Sequence, residues 1–173
     1  MSHRAIILGT VLLLTASLGL AGWRLAAVDG LGAAPEASFR IIDGRRIELT
    51  ALRGRPVIVN FWATTCAPCL REMPQLFKLY QDLAPAGLEV IGVAMPYDPP
   101  SYVLKMARQR PIPYPVALDP EGVVTHQFGD VELTPTTLLI DPDGQVVWRH
   151  TGLFNPDTLR QRVLALLPPG SRT

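Results

Sequence analysis

The stretch Val57 to Trp62, VIVNFW, is followed four positions later by Cys66, and the chain's two cysteines, Cys66 and Cys69, stand where a helical apolar spacing begins. A strand this apolar must be covered on both faces, so it belongs inside a sheet rather than at its rim. From Ala67 the apolar positions Cys69, Met73, Leu76, Phe77, Tyr80 and Leu83 recur at helical intervals, with Pro74 interrupting the backbone bonding partway along. A buried strand leading into an amphipathic helix commits this part of the chain to an α/β arrangement.

The flanking sequence supplies the remaining layers. SFRIIDGRRIEL, from Ser38, has an Asp43-Gly44 turn between two half-apolar runs, the signal of a hairpin. Leu88 to Met95, LEVIGVAM, predicts a second buried strand, and Tyr102, Val103, Met106 and Ala107 predict a helix, with Asp98 as its cap and Pro99 as its first residue. TLLIDPDGQVVW places a Pro-Asp-Gly turn between two strands, and Asn155-Pro156-Asp157 opens a last helix carrying Leu159, Val163, Leu166 and Leu167. The expected order is hairpin, β, α, β, α, β, β, α, a mixed central sheet flanked by helices.

Ahead of this domain, Ala5 to Trp23 is uncharged over 19 residues. As a helix it would reach roughly 28 Å at about 1.5 Å per residue, close to the hydrocarbon thickness of a bilayer. Its length exceeds a secretory signal's apolar core, so an uncleaved transmembrane anchor is favoured, although Gly19-Leu20-Ala21 offers a cleavage pattern. The expected layout is residues 1–27 as anchor or signal segment, 28–37 as linker, 38–168 as the folded domain and 169–173 as a tail. A short N-terminal tail places everything after the anchor outside the cytoplasm, in an oxidising compartment. The formal charge of +1 and the absence of basic runs exclude a nucleic-acid surface.

Three uses of the cysteine pair compete. A disulfide across two intervening residues removes little unfolded-state entropy, so a stabilising staple would be placed elsewhere. Structural zinc needs two more ligands, whereas His3, His126 and His150 are scattered and the chain has no other cysteine. As a reagent, Cys66 at a helix N-terminus has its thiolate stabilised by free amides and the positive dipole end, and Cys69 at i+3 lies within reach of it. A peroxidatic cysteine site of the form P-x-x-x-T-x-x-C is ruled out, because Val59 and Ala63 occupy its first two defining positions.

FWATTCAPCLREMP after a buried strand, matched by Thr134-Pro135-Thr136 ahead of a hairpin, resembles the thioredoxin superfamily and, more narrowly, the TlpA/ResA group of membrane-anchored thiol-disulfide oxidoreductases. The resemblance covers Phe39 to Leu167. It implies a thioredoxin-like fold with an added N-terminal hairpin, and catalysis by Cys66 and Cys69 with no organic cofactor and no metal. It implies a client-binding rim of Thr65, Ala67, Pro68, Thr134 and a cis Pro135, with Trp62 as a wall of the site. Two departures stand out. Thr65 replaces the usual tryptophan before the first cysteine. Asn60 stands where thioredoxin has a buried aspartate, and an amide cannot take a thiol proton.

Asp98 is a candidate substitute for that base, its plainer role being a helix cap, while Glu72 reads as a solvated helix residue. The implied activity is reduction of client-protein disulfides, such as apocytochrome c haem-attachment or copper-site cysteines, by a monomer recharged from a membrane thiol-disulfide electron donor. The alternatives are a disulfide-forming oxidase and a Cu(I)-binding protein using the same two thiols, the latter needing a histidine beside the pair.

Overall fold

The computed structural model describes residues 31–168 and 170 of the 173-residue chain. Val57–Trp62 is strand β3, and all six of its residues are buried, as its composition requires. Around it the chain forms β1 (Ser38–Ile41), β2 (Arg46–Glu48), β4 (Glu89–Ala94), β5 (Val116–Leu118), β6 (Thr136–Ile140) and β7 (Val146–Thr151). These make one seven-stranded sheet in the order β2-β1-β5-β4-β3-β6-β7. β3 runs parallel to β4, with Asn60 opposite Gly92 and Trp62 opposite Ala94, and antiparallel to β6, with Phe61 opposite Thr136. The mixed sheet and both hairpins thus follow the sequence expectation.

The helices are α1 (Ala67–Leu83), α2 (Pro100–Gln109), α3 (Val123–Gln127) and α4 (Pro156–Leu166). Pro74 lies inside α1 without ending it. Two elements, β5 and α3, are missing from the expected order. β5 has three residues and α3 five, too few to show a period in sequence. Asp119 organises α3 instead, its carboxylate accepting from the N–H groups of Val124 and Thr125.

β3 alternates between two cores. Val57, Val59 and Phe61 face an apolar cluster with Phe39, Ile91, Val93, Phe128 and Leu138. Ile58 and Trp62 face the other side, where α1 and α4 pack through Leu76, Leu79, Leu159 and Val163, and α2 contributes Val103.

The expected linker is in part folded onto the domain. Val146 donates to Gly32 O at 2.9 Å, Leu31 and Ala34 donate to Val146 O and Gly144 O, and Ala37 is buried. This segment covers the start of edge strand β7, which would otherwise present unpaired backbone groups. The predicted anchor at Ala5 to Trp23 lies outside the described residues. Among those described, no helix is long and apolar enough to cross a membrane.

Candidate active site

β3 ends at Trp62, and a tight turn in which Cys66 N–H donates to Ala63 O at 3.1 Å brings the chain to α1. Cys66 is the N-cap of that helix, in extended conformation, with Pro68 in the first turn where its missing N–H costs nothing. Cys66 and Cys69 are joined as a disulfide with their Cα atoms 5.3 Å apart. The Cys69 amide donates to Cys66 Sγ at 3.2 Å, so the cap position and the helix end both favour negative charge on this sulfur. Cys66 is partly exposed and Cys69 is 1% exposed. An incoming group can therefore reach only one of the two sulfurs.

Thr65 and Ala67 are exposed and Pro68 is half-buried on either side of Cys66. At the same end of the sheet Thr134-Pro135 is a cis peptide bond leading into β6, and Pro135 O accepts from Gly152 N–H at 2.8 Å. The Thr134 hydroxyl lies 3.2 Å from that of exposed Tyr97, a rim residue that no motif in the sequence marks. Trp62 is 1% exposed and packs in the cluster that holds Cys69 and Met73, which makes it a wall beneath the pair and puts it beyond a client's touch.

Asp98 does not cap α2. Pro99 holds the cap position and the helix starts at Pro100. Both carboxylate oxygens of Asp98 instead accept from Thr64, one from its N–H at 2.5 Å and one from its hydroxyl at 2.6 Å. Thr64 lies 34 residues away in sequence, so no local pattern predicts the pairing. The buried Asp98 thereby clamps the turn that presents Cys66.

Glu72 is the larger correction. Expected in solvent, it is 2% exposed on the inner face of α1, one turn beyond Cys69. Asn60, also buried, donates through Nδ2 to Glu72 Oε1 and to Thr137 Oγ1, both at 3.0 Å. Burial drives the Glu72 carboxyl up from 4.5 to about 7, while hydrogen bonds from Asn60 and the Phe154 backbone pull the other way. The signal was present in the sequence: 69, 72, 76, 79 and 83 form one helical stripe, and Glu72 is its only charged member.

Among the described residues no group of three or more His, Cys, Asp or Glu comes together as a metal site. His126 pairs with Asp130, and His150 stacks on Trp148, so neither stands where the Cu(I) alternative needs it.

A disulfide capping the helix after a central strand, with a cis-proline turn at the same sheet end, defines a thioredoxin-like protein. Known proteins agree. A family model described as Redoxin matches residues 32–165. The thiol-disulfide oxidoreductase ResA of Geobacillus thermodenitrificans is 34% identical over 135 residues, covering 78% of this chain and 76% of that one. ResA of Bacillus subtilis is 33% identical, covering 79% and 75%. The crystal structure of a thiol:disulfide interchange protein of the thioredoxin family from Chlorobium tepidum superposes with a TM-score of 0.71 at 28% identity, covering 82% of this chain and all of its own. The chain belongs to the Redoxin family and is a thiol-disulfide oxidoreductase of the ResA kind.

Proposed function

We propose that the protein reduces disulfides of client proteins outside the cytoplasm, with Cys66 as the attacking and Cys69 as the resolving sulfur. The observation that carries the assignment is the unequal access to the pair, Cys66 partly exposed at the helix cap and Cys69 buried beneath it. In the reduced enzyme the Cys66 thiolate attacks a client sulfur, forming a mixed disulfide and expelling one client thiolate. Cys69 then gives up its proton and attacks the Cys66 sulfur, which releases the second client thiolate and restores the enzyme disulfide. The proton of Cys69 passes to Glu72, the buried carboxylate that takes the place of the missing aspartate at Asn60. A carboxyl poised at about 7 is ionised often enough near neutral pH to accept it.

Clients dock through the rim of Thr65, Ala67 and Pro68 and pair with the Thr134 backbone as an added strand, in the manner of peptide addition to a sheet edge. The uncharged run Ala5 to Trp23 anchors the domain to the membrane with the disulfide on the extracytoplasmic side, where a membrane thiol-disulfide donor re-reduces it. Apocytochrome c and copper-site cysteines are the client classes proposed. A Cys69→Ala variant is expected to accumulate clients as mixed disulfides on Cys66, identified by mass spectrometry. Equal adducts on Cys66→Ala would reverse the roles. Equilibration with glutathione sets the direction: a potential below that of the glutathione couple supports a reductase, and one well above it an oxidase.

A further inference from the structure

Large apolar side chains left exposed among the described residues are unevenly placed. Leu31 lies at the sheet end away from the disulfide, whereas Tyr97 follows β4, Leu133 precedes Thr134 and β6, and Leu153 follows β7, all at the end from which the chain runs to Cys66. Tyr97 differs from the others in being both exposed and held. It is 58% exposed, yet its hydroxyl lies 3.2 Å from that of Thr134. In the sheet β3 stands between β4 and β6, so a residue following β4 and one preceding β6 are separated by two strand spacings, about 9.6 Å. The phenol bridges that gap across the end of β3, where the turn to Cys66 begins. The next residue, Asp98, holds this turn through both donors of Thr64. Two successive side chains of one loop thus fix the two segments between which the proposed client lies, Asp98 the cysteine turn and Tyr97 the Thr134-Pro135 turn.

A solvent-facing side chain ordinarily moves among rotamers and loses that freedom when something binds against it. Tying the Tyr97 hydroxyl leaves the ring as an apolar face fixed in advance, so contact with it costs little further entropy. The same bond engages the Thr134 side chain and leaves the Thr134 backbone free to pair with an added strand. Along such a strand, residues two positions from the client cysteine point to the same face as its sulfur. We propose that Tyr97 is a specificity-determining residue of the reduction: its ring, held across the end of β3 by Thr134, receives a large apolar side chain two positions from the attacked cysteine. The inference rests on the client reduction proposed above and names its substrate class, a disulfide in an extended segment with apolar residues in that register.

The test uses the full chain in detergent micelles, reduced, with single-cysteine peptides supplied as their disulfides with thionitrobenzoate. Attack of the Cys66 thiolate on the peptide sulfur forms the mixed disulfide and expels thionitrobenzoate, read by its absorbance, and Cys69 then releases the peptide thiolate. Two pentapeptides of equal composition, Leu-Ser-Cys-Ser-Leu and Ser-Leu-Cys-Leu-Ser, place leucine on the face of the sulfur or on the opposite one. The first is expected to react about tenfold faster. Tyr97→Ala should cut that ratio to about two, and Tyr97→Phe and Thr134→Val to about four each, with the double variant no lower than either because both remove one bond. Equal rates for the two peptides, a ratio that survives Tyr97→Ala, or additive losses in the double variant overturn the proposal. If the ratio follows Tyr97 while Cys66→Ala expels thionitrobenzoate at the unmutated rate, the Tyr97 face stands and the assigned order of the sulfurs falls. If Cys66 is required and the ratio is one, the sulfur roles stand and Tyr97 has no part in selection.

Discussion

The two faces of strand β3 are built from alternate residues of one six-residue run and meet different demands. Toward α3 the strand offers Val57, Val59 and Phe61, packed in an apolar cluster where Phe128 meets Phe61 edge-on at 5.5 Å and lies 6.4 Å from Phe39. Toward α1 it offers Ile58, Asn60 and Trp62, and there a buried amide, a buried carboxyl and a buried threonine hydroxyl are bonded together close to the disulfide. One face supplies rigidity, and the other holds polar groups whose burial costs stability and to which the proposed proton transfer is assigned. Adjacent residues on a single strand are thereby given separate tasks.

That division can be broken most severely from the dry side. Phe61→Ala should destabilise the oxidised protein by about 4 kcal/mol in denaturant unfolding while leaving the reduction potential of the Cys66–Cys69 pair unchanged. A large change in potential would mean that the two faces are coupled. The next effect belongs to Glu72. The folded protein keeps the Glu72 proton up to about pH 7, whereas the unfolded chain releases it near pH 4.5, so stability falls as pH rises through this window and levels off above it. The full difference corresponds to about 3 kcal/mol. Glu72→Gln should remove this slope, so the variant gains on the unmutated protein between pH 5 and pH 8 in paired unfolding curves, while its mixed disulfides resolve more slowly.

Smaller effects sharpen the contrast. Asp98→Ala frees both Thr64 donors and should cost about 2 kcal/mol. It should also raise alkylation of reduced Cys66 through a looser turn, a change that Phe61→Ala should not share. Thr137→Val leaves one Asn60 N–H without its acceptor and should cost about 1 kcal/mol, read from unfolding midpoints. An equal cost from substituting the apolar neighbour Leu138, which faces the dry core, by alanine would erase the distinction between the faces.

How much of this the sequence revealed depended on whether a signal was local. β3, α1 and the two hairpins are long enough, or closed by strong enough turns, to show their period, and the cysteine spacing pointed to the site. β5 is held by strands distant in the chain and α3 by Asp119 just ahead of it, and both are too short to leave a pattern. Distance in the chain hides the Asp98 clamp, whose acceptor and donor are joined only by the parallel pairing of β3 with β4. Glu72 is a different kind of miss. Its place in the apolar stripe points inward, while its residue type alone points to solvent. A lone charge in such a stripe asks for a partner, here Asn60, whose amide cannot take a proton itself and instead donates to the carboxyl.

The way the chain joins the domain carries a mechanical consequence. Leu31 to Ala34 lie along the start of β7, at the sheet end marked by Val57 and Ile140, whereas Cys66 follows the opposite end, marked by Phe61 and Thr136. A tether at Ala5 to Trp23 would leave only Arg24 to Gly30 between bilayer and domain, seven residues that span at most about 25 Å when fully stretched. The domain would then stand between membrane and disulfide like a short mast, with its reactive tip aimed into the surrounding space. Clients arriving from solution would meet the tip directly. A donor embedded in the bilayer would meet it only when the mast leans over, so lengthening those seven residues should quicken re-reduction and leave client attack unchanged.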